Sequence, residues 1–351
     1  MGSNHNPRPV KTIDVGDNKS ISKLLSEMSQ TGFQGKKLGE IVNIWKEMVK
    51  DEDITIIMGY TGSLSTTGQW KIINWLIENR YIDVLVPTGA NISEDIVEAM
   101  GFNYYQGDHN IKDIELRHSD YNRYYDVYGS EQEYMAMIKL IAEFYNNLDS
   151  SNSYTTIDLL YRFGLWLYEK GVKSIVAIAA KNKVPIYCPA IVDSPYGDAA
   201  MLSKNNGKTI SIDAIADNNL FMSLAEKVKE TAVIYIGGGV PKDVIQLLGV
   251  SSPLMYNNLA IPGRRGFKHE TTGEHYYPHK YAIQITTDSP QWGGLSGCTF
   301  NEAISWGKIA DNGRFAQCYC DATIALPLVT HALAENIELK RDGQDFSWMF
   351  K

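Results

Sequence analysis

The sequence is poor in cysteine and lacks any long hydrophobic run. Its four cysteines are too few for a disulfide-rich secreted scaffold, and none has the CxxC spacing of zinc or thioredoxin-like sites. No run approaches the roughly 18 to 20 apolar residues that span a membrane. The polar first residues also lack the apolar core of an export signal. These absences predict a cytoplasmic protein that is not embedded in a membrane.

Positive charge is scarce as well. The chain carries 33 Lys and Arg residues against 41 Asp and Glu residues, a net charge of -8. This balance excludes a globally basic nucleic-acid-binding protein and is compatible with a cationic ligand. With 351 residues, 44% of them hydrophobic, the chain can bury about three quarters of its unfolded surface. It therefore needs no disulfide or metal ion in order to fold.

Strand and helix patterns alternate along most of the chain. Short apolar runs predict buried strands at 54–58, 84–86, 185–189, 209–212, 232–236, 281–286 and 315–320. Helical spacing of apolar residues predicts helices at 38–49, 70–77, 135–145, 218–230, 241–248, 301–307 and 323–334. The pattern of residues 174–180 fits either a helix or a strand. Such alternation predicts an α/β fold with a doubly wound, mostly parallel, Rossmann-like sheet.

Repeats and a convincing domain linker are both missing from the sequence. We expect an N-terminal arm and helix over 1–50, one large domain over 51–335 and a C-terminal tail over 336–351. The large domain is expected to contain an insertion at about 254–280. This segment holds His269, His275 and His279, whose spacing matches no standard zinc pattern, so we predict no metal site.

A glycine triplet follows the strand predicted at 232–236. Gly237, Gly238 and Gly239 precede Pro241, which suits the first turn of a helix. Two interpretations are equally open: a backbone that approaches a phosphate at a helix start, or a tight turn without a ligand. No GxGxxG fingerprint is present. Because two other strand ends, at 59–68 and 87–91, are also small and polar, the three together favour a nucleotide or dinucleotide cleft.

Carboxylates follow two other predicted strands. Asp193 and Asp198 lie five residues apart in a Gly/Pro loop, where they could hold a ribose hydroxyl and an ammonium group. The alternative is that they cap backbone groups, as Asp often does in loops. Asp321, with Ala322 after it, allows the same two interpretations.

The stretch from Ser296 to Lys308 is the most informative. Glu302 and Trp306 are four residues apart, on one face of the predicted helix. Gly307 can end this helix and turn Lys308 into a cavity, where a lysine becomes an amine nucleophile that forms an imine with a substrate. The alternative is a solvated lysine at a helix C-terminus.

The residues Glu302-Ala-Ile-Ser-Trp-Gly-Lys308 resemble the active-site signature of deoxyhypusine synthase. The resemblance extends over about 32–335 and is supported, in chain order, by Gly59-Tyr60-Thr61, Thr88 with Glu94-Asp95, Asp193 with Gly197-Asp198, the glycine triplet, and Asp321-Ala322. It implies a Rossmann-like, NAD-dependent homotetramer whose sites lie at dimer interfaces. It also implies that an aminobutyl group passes from spermidine to Lys308 as an imine, and then to an acceptor amine.

The resemblance leaves the acceptor open. A lysine of the hypusine-containing translation factor is one acceptor, and a small amine such as putrescine, giving homospermidine, is the other. A non-catalytic NAD-binding regulatory protein is the alternative of a different class, because fold alone does not give function. Neither nucleic acid nor a membrane is expected as a partner.

Site residues follow from the same resemblance, position by position. The implied catalytic residues are Lys308, Asp243 and Glu302. The implied substrate-binding residues are Asp198, Glu302 and Trp306. The implied NAD-binding residues are Thr66, Thr88, Glu94, Asp193, Gly237, Gly238, Gly239, Thr287, Ser296, Asp321 and Ala322.

Four positions depart from the family pattern. Asp243 stands where the family has a histidine linked to proton transfer, and Leu295 stands where it has an acidic residue that anchors spermidine. Trp292 and Leu247 also replace polar residues. Since a leucine cannot pair with an ammonium group, these departures concern the identity of the amine more than the type of reaction.

Overall fold

The computed structural model describes residues 8–16, 18–257, 259–264, 266–337 and 340–350. The helices are α1 (Ile21–Met28), α2 (Phe33–Lys50), α3 (Trp70–Glu78), α4 (Asp95–Ala99), α5 (Asp113–His118), α6 (Glu131–Asn146), α7 (Thr156–Glu169), α8 (Ile175–Lys181), α9 (Pro195–Lys204), α10 (Ala214–Met222), α11 (Leu224–Lys227), α12 (Gly239–Ser251), α13 (Phe300–Ser305) and α14 (Ala322–Ala334). The strands are β1 (Ile54–Tyr60), β2 (Val84–Pro87), β3 (Tyr104–Gln106), β4 (Tyr121–Tyr124), β5 (Val127–Ser130), β6 (Ser153–Tyr154), β7 (Ser211–Ile212), β8 (Glu230–Ile236), β9 (Phe267–Lys268), β10 (His275–Tyr276), β11 (His279–Thr286) and β12 (Ile309–Tyr319).

The central sheet is parallel throughout, with the strand order β12-β11-β8-β1-β2. From β1 the chain first adds β2 on one side, and it later adds β8 on the opposite side of β1. The direction of winding therefore reverses between β1 and β8, which is the topological switch point at which such sheets bind ligands. The predicted doubly wound α/β fold is confirmed.

Both faces of this sheet are buried. In β1, Ile56 and Met58 pack into one hydrophobic core, whereas Ile57 between them packs into a second core. β8 alternates in the same way, with Ile234 in the first core and Val233 in the second. Because neither face meets water, these strands are apolar at successive positions instead of alternating with polar residues.

Several predicted elements differ from the structure. Residues 185–189 form only one bridge, between Leu85 and Ile186, because prolines at both ends of the run lack the N–H that a ladder needs. In the run predicted at 209–212, only β7 is a strand, and it pairs with β6 outside the central sheet. The helix predicted over 218–230 is replaced by α10 and α11, and Glu230 already belongs to β8. Residues 174–180, for which both states were open, are helical.

The region between β2 and β8 contains elements that the sequence patterns did not predict. β3, β4 and β5 form an antiparallel sheet, and α7 is a further helix. The three strands are short and half-buried, so their residues show no clear alternation. The arm predicted at the N-terminus lies partly outside the described residues, and α1 begins at Ile21 and packs against α2 and α14. No helix in the described ranges is long and apolar enough to cross a bilayer.

Candidate functional site

A cleft of about 1440 Å³ lies at the topological switch point, beyond the carboxyl ends of four central strands. Thr61 follows β1, Gly237 follows β8, Thr287 follows β11 and Asp321 follows β12. Of the predicted NAD-binding residues, the following line this cleft: Thr66, Gly237, Thr287, Ser296, Asp321 and Ala322. The cleft exceeds the roughly 300–1,000 Å³ of ordinary small-molecule pockets, so it has room for a large ligand.

The glycine triplet is needed for the close approach of three segments. Gly237 has φ +70°, and a Cβ at this position would lie 2.2 Å from Oγ1 of Thr61. A Cβ on Gly238 would lie 2.4 Å from Cα of Ser296. The Gly238 amide also donates to Oγ1 of Thr61 at 3.3 Å. Protein packing thus explains two of these glycines, while their contact with a phosphate stays a prediction.

Capping and ligand binding are compatible at Asp321. Its carboxylate caps α14 by accepting from the Thr323 amide at 2.7 Å, as the alternative interpretation expected. The amide and the hydroxyl of Thr323 both donate to Oδ1 of Asp321, and the residue is exposed and lines the cleft. Thr66 is buried, and its hydroxyl donates to the Ser63 carbonyl at 3.0 Å.

Five predicted NAD-binding residues do not line the cleft: Thr88, Glu94, Asp193, Gly238 and Gly239. The loops that carry Thr88 and Asp193 are adjacent, because a Cβ on Gly89 would lie 2.3 Å from Oγ of Ser194. The Asn91 side chain ties this region to the cleft, since its Nδ2 donates to Oγ1 of Thr88 and to the carbonyl of Gly62, a residue of the cleft wall.

Glu94 lies behind the cleft wall. It is 5% exposed, and burial raises the pKa of its carboxyl to about 7, against the effect of a hydrogen bond with Tyr124. The hydroxyl of Tyr104 donates to the Glu94 carbonyl at 3.1 Å, and both tyrosines line the cleft. Glu94 can therefore influence a ligand in the cleft through these tyrosines.

A second cavity, of about 220 Å³, contains Lys308, Glu302 and Trp306. The Lys308 side chain is only 12% exposed, and its Nζ lies 3.7 Å from Oδ1 of Asp243 and 5.2 Å from the centre of the Trp306 ring. We call this space the Lys308 cavity. Lys308 is thus a shielded amine with a carboxylate beside it, which is the arrangement that the nucleophile interpretation requires.

Local sequence explains how Lys308 reaches this position. Thr299 caps α13 by accepting from the Glu302 amide at 3.1 Å, and the helix ends at Ser305. Gly307 then takes φ +71°, a left-handed conformation in which other residues are strained, and reverses the chain direction. The next residue, Lys308, consequently points back beside Trp306 instead of continuing the helix into solvent.

Asp198 does not share the Lys308 cavity. The Gly/Pro loop expected around it is a helix, because Pro195 occupies the first turn of α9 and has a φ suited to a helix start. Asp198 lies in the first turn of α9 and lines a third cavity, of about 870 Å³, together with Tyr124 and Tyr134. Within one chain, therefore, the predicted substrate residues are divided between two cavities.

A buried amine that the sequence analysis did not single out lies next to the Lys308 cavity. Lys242 is fully buried, and its Nζ donates to Oε1 of Gln284 at 2.9 Å and to the Cys298 carbonyl at 2.6 Å. Burial lowers the pKa of this lysine to about 8.

Gln284 extends the contacts of Lys242 to the segment between the cleft and the Lys308 cavity. Its Nε2 donates to the carbonyls of Gly237 at 2.7 Å and Ser296 at 2.9 Å, and its Oε1 accepts from Gln317 at 2.8 Å. Ser296 lines the cleft and its neighbour Leu295 lines the Lys308 cavity. The available signal was a glutamine between apolar neighbours in each strand, Gln284 in β11 and Gln317 in β12, because buried polar groups need partners.

Lys242 gives a pH-dependent prediction. Its pKa falls from 10.5 to about 8 on folding, so between these pH values the unfolded chain binds more protons and the folded state gains stability as pH rises. We expect the free energy of unfolding of the wild type, minus that of Lys242→Met, to increase by about 2 to 3 kcal/mol from pH 7 to pH 10. Urea unfolding at both pH values measures it. Lys112→Met, at an exposed lysine, serves as the control, and a difference that stays flat contradicts the prediction.

The histidines of the 254–280 segment do not converge. His279 is buried, where its ring contacts Oγ1 of Thr231 at 2.7 Å and the Ile245 carbonyl at 3.0 Å. Burial lowers the pKa of His279 to about 4. Within the described ranges, no three His, Cys, Asp or Glu side chains are grouped so that they could hold a metal ion.

Comparisons with known proteins agree on one family. The family model for deoxyhypusine synthase matches residues 23–333. A Methanosarcina mazei protein named probable deoxyhypusine synthase 2 is 40% identical over 343 residues, which cover 97% of this chain and 94% of that protein. The Archaeoglobus fulgidus protein of the same name is 44% identical over 306 residues, 87% of this chain and 95% of that protein.

A solved structure shows the same fold. It comes from an Entamoeba histolytica protein proposed to be a deoxyhypusine synthase, and it matches with a TM-score of 0.60 at 20% identity. The match covers 95% of this chain and 99% of the other. With a matching family model and relatives of 40–44% identity along nearly the whole chain, this protein belongs to the deoxyhypusine synthase family.

Proposed function

We propose that this protein transfers an aminobutyl group from spermidine to an acceptor amine through an imine on Lys308, with NAD as the cofactor. The observation that carries the proposal is the shielded Lys308 amine, 3.7 Å from a carboxylate oxygen of Asp243, in a cavity next to the larger cleft. Leu295 lines the Lys308 cavity, and the next residue, Ser296, lines the cleft. A substrate beside Lys308 would therefore be close to a cofactor in the cleft.

The cleft residues fit a dinucleotide. Gly62 and Gly68 line the cleft with positive φ, and a Cβ built on either meets no atom within 4 Å, which leaves the backbone open to a ligand. Thr287 and Asp321 offer a hydroxyl and a carboxylate for ribose, and α12 begins at Gly239 beside the cleft. When bound, NAD would accept a hydride from the donor amine and later return it to the transferred fragment.

The residues of this chain supply the covalent chemistry. The Lys308 amine adds to the imine carbon of the oxidised donor, and Asp243 relays the proton that Nζ loses to the departing nitrogen. The bond between this carbon and the nitrogen of 1,3-diaminopropane then breaks, which leaves the four-carbon fragment joined to Nζ as an imine. Glu302 pairs with an ammonium group of the donor. The Trp306 ring forms a wall that keeps out water, which would otherwise hydrolyse the imine. An acceptor amine then displaces Lys308 from the fragment.

A second copy of this chain would complete the site. Asp198 and Lys308 occupy separate cavities in one chain, and the Trp306 side chain beside Lys308 is 64% exposed. Trp292, nearby in sequence to Leu295, is 74% exposed. A homotetramer with sites at dimer interfaces would cover these rings and bring the Asp198 of one copy to the Lys308 of another.

Two acceptors remain within the proposal. We take the first to be a lysine of the hypusine-containing translation factor, as the family membership suggests. A small amine such as putrescine is the second. Leu295 lines the Lys308 cavity where the family has an acidic residue, so the polar contacts to the amine differ from those of the family pattern and both acceptors need to be tested.

The test is a transfer assay with purified protein, NAD and spermidine labelled in its four-carbon part. We expect release of 1,3-diaminopropane and transfer of label to one of two acceptors offered separately, the translation factor or putrescine. Omission of NAD is the control and should stop the release. Binding of NAD without any release, with either acceptor, would instead support a non-catalytic regulatory protein.

A further inference from the structure

Gln246 carries a buried amide without a partner. It lies on α12, and its side chain is fully buried. Neither its Nε2 nor its Oε1 makes a hydrogen bond to any residue that the structure describes. Buried amides in folded proteins are nearly always hydrogen-bonded, because an unmade bond costs the desolvation of the group. An unpartnered buried side chain of this kind suggests that a ligand supplies its hydrogen-bond partner.

The surroundings of Gln246 define the chemistry of that partner. Gln246 lines the Lys308 cavity together with Glu302 and Leu295. At about 220 Å³ this cavity is smaller than ordinary small-molecule pockets, so a dinucleotide does not fit, whereas a thin aliphatic chain does. Glu302 provides a negative charge on the wall, and α12 adds Asp243 one turn before Gln246, against Lys308. The cavity therefore favours a chain that carries N–H groups.

We propose that Gln246 is a substrate-binding residue, whose Oε1 accepts a hydrogen bond from an amine nitrogen of the donor in the Lys308 cavity. This inference rests on the proposed function and specifies its substrate class. One ammonium group of the donor pairs with Glu302, and a second nitrogen is held by a neutral amide. Leu295, which also lines this cavity, can hold no nitrogen, whereas Gln246 lines it with an amide that has no hydrogen-bond partner among the described residues.

A structural role for Gln246 predicts a different outcome from a binding role. Gln246→Leu keeps the volume and removes two unpartnered polar atoms, so the melting temperature should stay constant or rise by roughly 2 °C or more. The same change should weaken donor binding, because the nitrogen loses its acceptor. A structural amide would show the reverse: a lower melting temperature and unchanged binding.

Direct binding is the decisive measurement. Spermidine is titrated calorimetrically into the protein loaded with NADH, which cannot accept a hydride, so that no turnover occurs. We expect the Kd of Gln246→Leu to be about 10- to 100-fold higher than that of the wild type. Gln246→Glu retains an acceptor oxygen and should bind within a few-fold of the wild type. Asn146→Leu, which removes another unpartnered buried amide oxygen at the end of α6, is the matched control and should bind like the wild type.

The outcomes separate this inference from the proposed function. An unchanged Kd in Gln246→Leu, or the absence of spermidine binding to the wild type, overturns the role of Gln246. If the wild type binds spermidine through Gln246 but releases no 1,3-diaminopropane with NAD, the proposed transfer is wrong and the role of Gln246 stands.

Discussion

Replacing Lys308 with alanine is expected to abolish the covalent intermediate and to lower the rate of aminobutyl transfer by about 10³-fold or more. The reason is chemical, because among the residues that the structure describes Lys308 is the lysine that lines this cavity. The measurement is borohydride reduction in the presence of NAD and labelled spermidine, followed by mass spectrometry of the peptide that contains residue 308.

Two variants sharpen this result. Lys308→Arg keeps a positive charge beside Asp243 but offers a guanidinium group that stays protonated, so it should also form no adduct. Lys280→Ala changes an exposed lysine, paired with Asp51 at 2.9 Å, and should label at position 308 like the wild type. A stable adduct in Lys308→Ala, or label at another lysine of the wild type, would contradict the imine mechanism.

Replacing Arg341 with methionine should lower the free energy of unfolding by about 3 to 5 kcal/mol. Arg341 and Asp83 form an ion pair in which Asp83 is fully buried, and Arg341 also donates to the Ile54 carbonyl at the start of β1. Asp83 accepts from the Ile56 amide at 2.9 Å as well. Without Arg341 the buried Asp83 carboxylate would lose its direct ion-pair partner and would retain only the electrostatic interaction with Arg80. Urea or thermal unfolding measures the loss.

Two controls isolate the cause. Arg314→Met removes an exposed arginine that pairs with Glu47 at 2.8 Å, and it should cost less than about 1 kcal/mol. Adding Asp83→Asn to Arg341→Met removes the uncompensated charge and should restore part of the lost stability. If both single arginine variants lose the same small amount, the buried ion pair does not stabilise the fold as described.

Much of the sheet could be predicted from local patterns. The strands β1, β2, β8, β11 and β12 overlap the predicted apolar runs. β12 lies at the edge of the sheet and is partly exposed, whereas in β1, β2 and β8 the run is continuous because both faces are buried. The run at 185–189 was misleading for the same reason: apolar residues also line the interior where prolines prevent strand pairing. β3 pairs with β5 between Tyr104 and Gly129, a separation that no local window contains. β4 and β5 form a local hairpin, but their half-buried residues show no clear alternation.

The local geometry of Lys308 could be predicted from the residues that directly precede it. A helix from Phe300, a glycine at 307 with positive φ, and Lys308 directly after it are set by neighbouring residues. The polar contacts around the Lys308 cavity could not be predicted from neighbouring residues. Lys242 lies on α12, which follows β8, and Gln284 lies 42 positions away on β11; they meet because β8 and β11 are adjacent in the sheet.

The sequence by itself determined the fold class, the family and the lysine on which the proposed chemistry rests, since each depends on residue types at short spacings. The tertiary structure alone decided which carboxylate approaches Lys308, which amide shares its cavity, and that Asp198 lies elsewhere in the same chain. Strand order and helix packing bring distant residues together, and neither can be predicted from the local spacing of apolar residues. The sequence contained few cysteines and no long apolar run, and these absences gave no information on the chemistry of its site.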